Sequence, residues 1–448
     1  MTVAVSVTSS DAGADISRLA RGSLLAFATY IAGAALAYIS QLLVARLTGP
    51  TSYGYYAYAL ALMTILAYVA ALGFDVSLLR LIPAYRTVGN WPLARGALCY
   101  AERRSAAAGC LIMAGGALLL WFRRASLPGE ELRALALGLP LVPICSLLWI
   151  SAAAVRAFGG VVAALAPDRI VRDGGLVVAL AVLTVWHAPR LDAATVMLIS
   201  VTCALGGLVI VRKALRRWRP RAVTEALTEY APAIWRGTTL PLVSISIAET
   251  LLNRAGVVLL GCSDQSIGAG VYALAFNFSM TVTLPRIAVN TLFAPLVSEL
   301  WVRGDRAALQ SVVTRSARWT LLSGLSVALP LMLLAEPLLS WFGRDFAQGV
   351  TALRLLLAGQ IVASAFGPQM FLMTMTGNER AAATLLIVST VVNGVLGVLL
   401  IQVIGLTGAA LATTAALVVW NVTMALFVWR ALGVVPGPAS GLSRLRVA

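Results

Sequence analysis

Four polar side chains lie on one face of the eighth apolar segment of the chain. Their 4-3-4 spacing places them within about 60° of one another on an α-helix. A charged group in an apolar helix usually faces a cavity, and a guanidinium binds anions through paired, charge-assisted hydrogen bonds. The spacing therefore predicts that Arg286 binds an anion, with Thr283 and Asn290 as hydrogen-bonding neighbours. The four residues are Ser279, Thr283, Arg286 and Asn290.

The seventh segment carries a second polar stripe. Glu249 and Asn253 share one helical face, and Arg254 lies about 100° from the centre of that face. Asn253 and Arg254 are candidates for substrate binding, and Glu249 is the first candidate for a proton or sodium site. Two alternatives stay open. One is an internal ion pair between Glu249 and Arg286, and the other is an Arg254 side chain that reaches the membrane surface.

The first two segments also have hydrophilic faces. Tyr30 and Gln41 lie on the first, and Tyr68 and Asp75 lie on the second. The two tyrosines and the glutamine are candidates for binding a polar substrate, and Asp75 is a second candidate for ion coupling. The alternative is interhelical hydrogen bonding, worth about 0.6 kcal/mol per bond in membrane bundles. For Asp75, a helix cap or an ion pair with Arg80 is a further alternative.

Several classes of active site are excluded by residue types that are rare in the chain. Lys213 is the only lysine and follows no glycine-rich loop, which excludes ATP hydrolysis by a P-loop. His187 is the only histidine, which excludes the HExxH motif and most histidine-based metal sites. The five cysteines have no CxxC spacing, which is typical of buried small apolar residues. We therefore expect no cofactor, no metal and no catalytic residue.

The composition indicates which elements position these groups. Of 448 residues, 60% are hydrophobic and 12% are charged, whereas soluble domains carry about 45–50% apolar and about 25% charged residues. This composition excludes a soluble enzyme and predicts an all-α integral membrane protein with about 12 transmembrane helices. The apolar segments are 24–45, 55–74, 106–122, 134–154, 170–186, 193–211, 239–261, 271–293, 319–335, 351–373, 382–403 and 407–429.

The basic residues predict the orientation in the membrane. The net charge is +16, and a cytoplasmic N-terminus places 25 basic residues on the cytoplasmic side and 7 on the other side. Because Lys and Arg collect in cytoplasmic loops, both termini are predicted to be cytoplasmic, with residues 1–17 as a leader. The positive charge thus indicates topology and contact with membrane lipids, and no nucleic acid is expected as a partner.

An internal repeat divides the chain into two parts. Gly54-Tyr55-Tyr56-Ala57 aligns with Gly270-Val271-Tyr272-Ala273, and Gly89-Asn90 aligns with Gly304-Asp305. Substrates of such doubled bundles usually bind between the halves. The prediction is two pseudo-symmetric six-helix lobes around a central cavity, namely an N-terminal lobe (18–211), a basic cytoplasmic linker (212–238), a C-terminal lobe (239–430) and a cytoplasmic tail (431–448).

Several turn sequences resemble those of bacterial polysaccharide flippases of the Wzx type, in the multidrug/oligosaccharidyl-lipid/polysaccharide exporter superfamily. Ala45-Arg46-Leu47-Thr48-Gly49-Pro50, followed by Tyr53-Gly54, is similar to the ARxLGPxxYG signature that closes the family's first helix. Segments 376–380 and 405–413 resemble the tenth-to-eleventh turn and the opening of the last helix. Asn253-Arg254 departs from the aspartate-arginine pair of many relatives.

The resemblance implies a V-shaped bundle whose cavity is lined by helices one, two, seven and eight. It implies an undecaprenyl-diphosphate-linked oligosaccharide as substrate, moved across the bacterial inner membrane for O-antigen, capsule or exopolysaccharide synthesis. A polysaccharide polymerase or co-polymerase is implied as a partner. With such a substrate, we expect Arg286 and then Arg254 to bind the diphosphate, with Arg354 and Arg21 at the two mouths of the cavity.

Three other functions stay open. A drug or cation antiporter of the same fold would favour acidic residues in its cavity, whereas two arginines and one glutamate lie within the predicted spans. The flippase for the peptidoglycan precursor usually has two more helices. A membrane-embedded glycosyltransferase or polymerase generally needs a large loop outside the cytoplasm, and the longest such loops here, about 123–133 and 336–350, are short.

Overall fold

The computed structural model describes residues 9–185 and 191–438, which are nearly all helical. This confirms the all-α prediction. The first part contains α1 (Ser9–Ala71), α2 (Phe74–Thr87), α3 (Trp91–Arg123), α4 (Gly129–Gly138), α5 (Leu141–Ala157), α6 (Val161–Ala166), a π turn (Pro167–Arg172), α7 (Asp173–Val185), α8 (Ala193–Trp218) and α9 (Arg221–Glu225). The second part contains α10 (Pro232–Cys262), α11 (Ser266–Met280), a 3₁₀ turn (Thr281–Thr283), α12 (Leu284–Arg303), α13 (Arg306–Leu333), α14 (Ala335–Ser340), a 3₁₀ turn (Arg344–Gly349), α15 (Val350–Phe366), α16 (Gln369–Met375) and α17 (Glu379–Leu432).

Two of the longest helices contain a break at glycine. In α1, Gly49 has a φ of 78° and precedes Pro50. In α17, Gly405 has a φ of 54°. Only glycine adopts such left-handed values at little cost, so each break lets the chain reverse and cross the membrane again.

The number of crossings agrees with the predicted twelve. Within the described ranges, nine helical stretches are long and apolar enough to span a membrane. The stretches Ala28–Thr87 and Glu379–Leu432, of 60 and 54 residues, each contain one of the glycine breaks and supply two crossings. The continuous helical segment 161–185 is long enough for one more. The chain is therefore a multi-pass membrane protein.

The connection between the two sets of six crossings is fastened to α3. The Arg95 guanidinium donates hydrogen bonds to the carbonyl oxygens of Thr224, at 2.7 Å, and Ala226, at 2.6 Å. Helix α8 continues to Trp218 and α10 begins at Pro232, so both helices extend into the predicted linker 212–238. Helix α1 likewise begins at Ser9, inside the predicted leader.

The two aligned turns of the repeat cap equivalent helices. The Asn90 side chain accepts a hydrogen bond from the Leu93 amide at 3.2 Å, at the start of α3. The Asp305 side chain accepts one from the Ala308 amide at 2.8 Å, at the start of α13. Each cap satisfies a backbone donor that a helix leaves unpaired at its first turn.

The aligned tyrosines of the repeat make equivalent bonds inside each half. The hydroxyl groups of Tyr56 and Ser200 share a hydrogen bond of 3.1 Å between α1 and α8. Those of Tyr272 and Thr413 share one of 2.9 Å between α11 and α17. In both halves the bond therefore joins the second crossing to the sixth, which gives the sequence repeat a structural counterpart.

The two halves meet at both ends of the bundle. We call the end at the Gly49 break the predicted outer end, following the predicted orientation. There, the Arg46 guanidinium lies 4.4 Å from the ring centre of Trp341. At the opposite end, Arg80 and Glu379 form an ion pair of 4.0 Å. Arg80 therefore pairs with the other half and not with Asp75.

Candidate substrate cavity

A cavity of about 590 Å³ lies between the two halves. The first half contributes α1, α5, the π turn, α7 and α8, and the second contributes α10, α11, the following 3₁₀ turn and α12. Small and apolar side chains form part of the wall, and three groups contain its charged and amide side chains. The polar lining residues are Tyr30, Tyr38, Ser40, Gln41, Tyr56, Thr64, Tyr68, Asp168, Arg169, Arg172, Asp173, Ser200, Arg254, Asn277, Thr281 and Thr283.

The first polar group is an ion-pair network on the π turn. Arg172 donates to Asp168 at 2.8 Å and to Asp173 at 3.1 Å. Arg169 lies at 3.8 Å from Asp168, and its guanidinium is 5.1 Å from the ring centre of Tyr30. One oxygen of Asp173, Oδ2, is buried with no hydrogen-bond partner among the described residues. Arg172 is thus held by two carboxylates, whereas Arg169 is held loosely.

This network corrects one sequence assignment. The fifth apolar segment is predicted to begin at residue 170, whereas residues 161–185 form one continuous helical segment, and the side chains of Arg169 and Arg172 line the cavity. The helix continues through Pro167 as a π turn, which is a common local irregularity at functional sites. The i,i+4 spacing of Asp168 and Arg172, directly after the apolar run Val161–Ala166, was the available signal.

The second group is Arg254, which enters the cavity from α10 on the opposite half. It is half-buried, and no described carboxylate lies within 4.0 Å of it. Its charge and that of Arg172 are close enough to repel each other. The three cavity arginines therefore outnumber the two cavity carboxylates, and the excess positive charge is at Arg254.

The third group is a chain of hydrogen bonds that joins the halves. The Asn277 amide donates to the Tyr53 hydroxyl at 3.2 Å, and that hydroxyl donates to the Gln41 carbonyl oxygen at 3.2 Å. Gln41 and Asn277 line the cavity, and Tyr53 is fully buried behind them. The chain closes the cavity toward the predicted outer end.

Five of the residues predicted for substrate binding line this one cavity. Tyr30 and Gln41 lie on the first crossing, Tyr68 on the second, Arg254 on the seventh and Thr283 in the 3₁₀ turn. Tyr68 stacks on Trp149 with ring centres 4.3 Å apart. Sequence reasoning on four separate segments thus selected groups that the fold brings together.

Other predicted residues lie away from the cavity wall. Asn253 turns back along α10, where its amide donates to the Glu249 carbonyl oxygen at 2.9 Å. Glu249 is exposed and Arg286 is half-buried. Their charges interact, but no carboxylate oxygen of Glu249 lies within 4.0 Å of the Arg286 guanidinium. Helix α12 begins at Leu284, directly after the 3₁₀ turn Thr281–Thr283.

Two further candidates, Asp75 and Arg354, lie near the N-terminal ends of their helices, α2 and α15. Asp75 is in the first turn of α2, and its Oδ1 is buried without a partner among the described residues. Arg354 is exposed and donates to the Met332 carbonyl oxygen at 3.3 Å. The side chains of Arg21 and Asn290 lie outside the part of the chain whose side chains the structure describes.

Comparison with known proteins identifies the fold. No protein-family model matches the chain. The uncharacterized membrane protein EpsK of Bacillus subtilis (strain 168) is 31% identical over 189 residues, which are 39% of this chain and only 37% of EpsK.

Solved structures cover almost the whole chain. An inward-facing multidrug resistance MATE family transporter of the MOP superfamily has a TM-score of 0.72 and 15% identity, over 93% of this chain and 96% of that one. The lipid II flippase MurJ, in an inward closed conformation, has a TM-score of 0.63 and 14% identity, over 92% and 88%. The MATE multidrug transporter DinF-BH has a TM-score of 0.64 and 17% identity, over 92% and 95%. The chain therefore has the fold that MATE transporters and MurJ share.

Proposed function

We propose that the protein is a flippase for an oligosaccharide linked to undecaprenyl diphosphate, in the bacterial inner membrane. The head group of such a lipid carries a diphosphate and sugars, and its tail remains in the bilayer. The fold supports a transporter or flippase, since its solved neighbours include MATE multidrug transporters and a lipid II flippase. The choice of an anionic lipid substrate rests on the cavity.

The observation that carries the proposal is the uncompensated charge of Arg254. Arg172 is neutralised by Asp168 and Asp173, whereas Arg254 faces the same cavity with no described carboxylate within 4.0 Å. Placing a lone cation in a region of low dielectric is costly, and an anion beside it recovers that cost. Arg169, which is loosely held at 3.8 Å from Asp168, supplies a second donor group. Two guanidinium groups suit a diphosphate.

The rest of the cavity suits the sugars. Tyrosine, threonine and amide side chains offer hydrogen bonds to hydroxyl groups, and the lining contains all three types. The stacked pair Tyr68 and Trp149 adds an aromatic surface. A cavity of about 590 Å³ holds a ligand of drug size, so in this conformation it receives the diphosphate and the first sugars.

The proposed mechanism is alternating access without covalent chemistry. The hydrogen-bond chain from Asn277 through Tyr53 to Gln41 closes one side of the cavity and must open when the substrate leaves. Glu249 and Asp75 remain the sequence-based candidates for ion coupling. Asp173 joins them, since its Oδ2 is buried and unpartnered within the described residues.

Multidrug transport is the second candidate function. The observation that favours it is the presence of Asp168 and Asp173 in the cavity, because carboxylates attract cationic drugs. Both are already bonded to Arg172, which leaves the excess charge positive. A cationic substrate would have to displace that arginine, so the anionic substrate fits the cavity better.

Reconstituted flipping tests the proposal. The purified protein is placed in liposomes that contain a fluorescent undecaprenyl-diphosphate oligosaccharide, and the fraction that moves between leaflets is followed by quenching from outside. We expect Arg254→Ala to slow flipping about tenfold or more, as for the loss of a charge-assisted hydrogen bond, and Arg254→Lys to be intermediate. Arg286→Ala belongs in the same series, because the polar stripe of the eighth segment predicts that Arg286 binds the anion.

The matched control is Arg315→Ala, an exposed arginine of α13 outside the cavity lining. Wild-type flipping by Arg254→Ala would overturn the proposed role of Arg254. Deletion of the gene supplies a test in cells, where lipid-linked oligosaccharide should accumulate facing the cytoplasm. Unchanged lipid intermediates, together with altered sensitivity to cationic drugs, would support multidrug transport instead.

A further inference from the structure

A second, small pocket lies at the predicted outer end, about 50 Å³ in volume and lined by both halves. The first half contributes Tyr58 and Glu131, and the second contributes Asp264 and Ser266. This pocket is separate from the central cavity, with which it shares no lining residue. Two carboxylates from opposite halves therefore face one pocket.

Glu131 is a buried carboxylate without a partner. The residue is only 6% exposed, yet among the described residues it has neither a hydrogen bond nor an ion pair within 4.0 Å. Its neighbour Glu130 differs, because the Glu130 carboxylate accepts a hydrogen bond from the Ala193 amide at 2.8 Å. Arg123 acts on Glu131 only at longer range. A buried charge of this kind is costly unless it is paired or binds a cation.

Asp264 brings a second negative charge to the same pocket from the turn between α10 and α11. Its backbone is in the left-handed region, with a φ of 56°, a conformation that costs free energy in a non-glycine residue. The turn is held by the hydrogen bond from the Asp264 amide to the Gly261 carbonyl oxygen at 3.3 Å. The two carboxylates interact with each other, and because both are negative, the interaction opposes contact between the halves.

We propose that this pocket is a binding site for a divalent cation, of which calcium is the best fit, held between the halves by Glu131 and Asp264. Hard cations prefer oxygen ligands, and calcium accepts irregular sets of carboxylates, hydroxyls and waters, whereas magnesium requires a nearly ideal octahedron. The Ser266 and Tyr58 hydroxyls are further oxygens at the wall. A pocket of about 50 Å³ has room for an ion and a water molecule.

Binding at this site converts a repulsion between the halves into an attraction. We expect the ion to stabilise the conformation in which the predicted outer end is closed, because Glu131 and Asp264, from opposite halves, line one pocket there. This inference does not depend on the identity of the transported substrate. With two carboxylates as the charged ligands, we expect a dissociation constant on the order of 10⁻⁴–10⁻³ M, as in calcium sites of extracellular modules.

Thermal unfolding of the full-length protein in detergent tests the site. Calcium chloride should raise the unfolding temperature in a saturable way, with a midpoint on the order of 1 mM, while sodium chloride of equal ionic strength should not. Glu131→Gln and Asp264→Asn should each remove the calcium-dependent rise. Glu336→Gln, which changes an exposed carboxylate of α14, should retain it. A rise of equal size in all four proteins, or no rise in the wild type, would overturn the proposal.

A second measurement does not depend on unfolding. Cys262 is exposed, and its sulfur lies 3.5 Å from the Tyr58 hydroxyl beside the pocket. In a Cys110→Ser background, which removes the other exposed thiol, calcium should slow the labelling of Cys262 by a membrane-impermeant maleimide several-fold. Asp264→Asn, a change at an exposed position, should abolish the slowing. Equal labelling rates with and without calcium in the parent protein would contradict the site.

Discussion

Gly54 and Gly270, aligned with each other by the internal repeat, pack backbone to backbone where α1 crosses α11. A β-carbon on Gly270 would overlap the Pro50 carbonyl oxygen and lie 2.9 Å from the Gly54 amide nitrogen. A β-carbon on Gly54 would overlap the Ser266 carbonyl oxygen. The repeat thus places its two equivalent glycines against each other between the halves, and the contact leaves no room for a side chain.

Gly270→Ala should therefore destabilise the protein by about 1–3 kcal/mol, the usual cost of overpacking. The measurement is the midpoint temperature of unfolding in detergent. Gly394→Ala is the matched control, since Gly394 is also inside a helix and has open space around its α-carbon. That control should be neutral or stabilising by up to about 1 kcal/mol. A Gly270→Ala protein as stable as Gly394→Ala would contradict the close contact.

Arg172→Ala should be strongly destabilising because it leaves Asp168 and Asp173 without their common partner. Removal of one member of a buried ion pair costs about 3–5 kcal/mol. Arg169→Ala serves as the comparison. Because Arg169 lies 3.8 Å from Asp168, this substitution should lower the free energy of unfolding by about 1 kcal/mol or less. The loss of stability in each variant is measured by its yield and by its unfolding temperature in detergent. Equal losses of stability in the two variants would mean that Arg172 does not hold the ion-pair network together.

Tyr53→Phe should weaken closure of the cavity toward the predicted outer end. The substitution removes the hydroxyl that connects Asn277 with Gln41 and leaves two amides to compete for other partners, at a cost of about 1–3 kcal/mol. Accessibility of a cysteine introduced at Thr64, a cavity-lining residue outside this hydrogen-bond chain, to a membrane-impermeant reagent should rise relative to the same cysteine in the Tyr53 parent. Tyr55→Phe, which changes a hydroxyl outside this chain, should leave accessibility unchanged.

Asp192→Ala should lower the free energy of unfolding by about 1 kcal/mol at neutral pH, because Asp192 caps α8. Its carboxylate accepts hydrogen bonds from the Thr195 hydroxyl and amide. The pKa of Asp192 is lowered below its ordinary value, and the hydrogen bond from the Thr195 hydroxyl is the main cause. A lowered pKa gives stability that is present above the unfolded pKa, about 3.9, and is lost as the pH falls through the folded value.

The difference in the free energy of unfolding between wild type and Asp192→Ala should thus be constant from about pH 5 to pH 8 and should shrink below pH 4. Denaturation at several pH values measures it. Asp192→Asn is the control, since asparagine is also a good cap but does not titrate. A difference that persists unchanged to pH 3 would rule out the carboxylate as the source.

The path of the chain through the membrane could be predicted because it depends on local properties. Apolar runs of about 20 residues are expelled from water wherever they occur, so the crossings follow from the composition of each run. Helix caps are equally local, and Asn90 and Asp305 act on amides only three residues ahead. The polar faces of α1 likewise needed only helical periodicity, and Tyr30, Gln41 and Tyr68 line the cavity.

Which residues line the cavity depends on local helix geometry that a regular α-helical period does not predict. The stripe from Ser279 to Asn290 assumed one continuous α-helix, but the 3₁₀ turn Thr281–Thr283 turns each residue by about 120° instead of about 100°. Thr283 accordingly lines the cavity, whereas Arg286 does not.

The charged groups of the cavity show the same division between local and distant information. Arg172 and its partners Asp168 and Asp173 are neighbours in sequence, but their position at the cavity wall depends on the helix continuing through the π turn. Arg254 faces Arg172 only because α10 packs beside α1 in the folded protein. The sequence alone determines which segments cross the membrane and which charges they carry. The tertiary structure decides which charges share a cavity, because contact between distant segments depends on how each helix is broken, turned and packed.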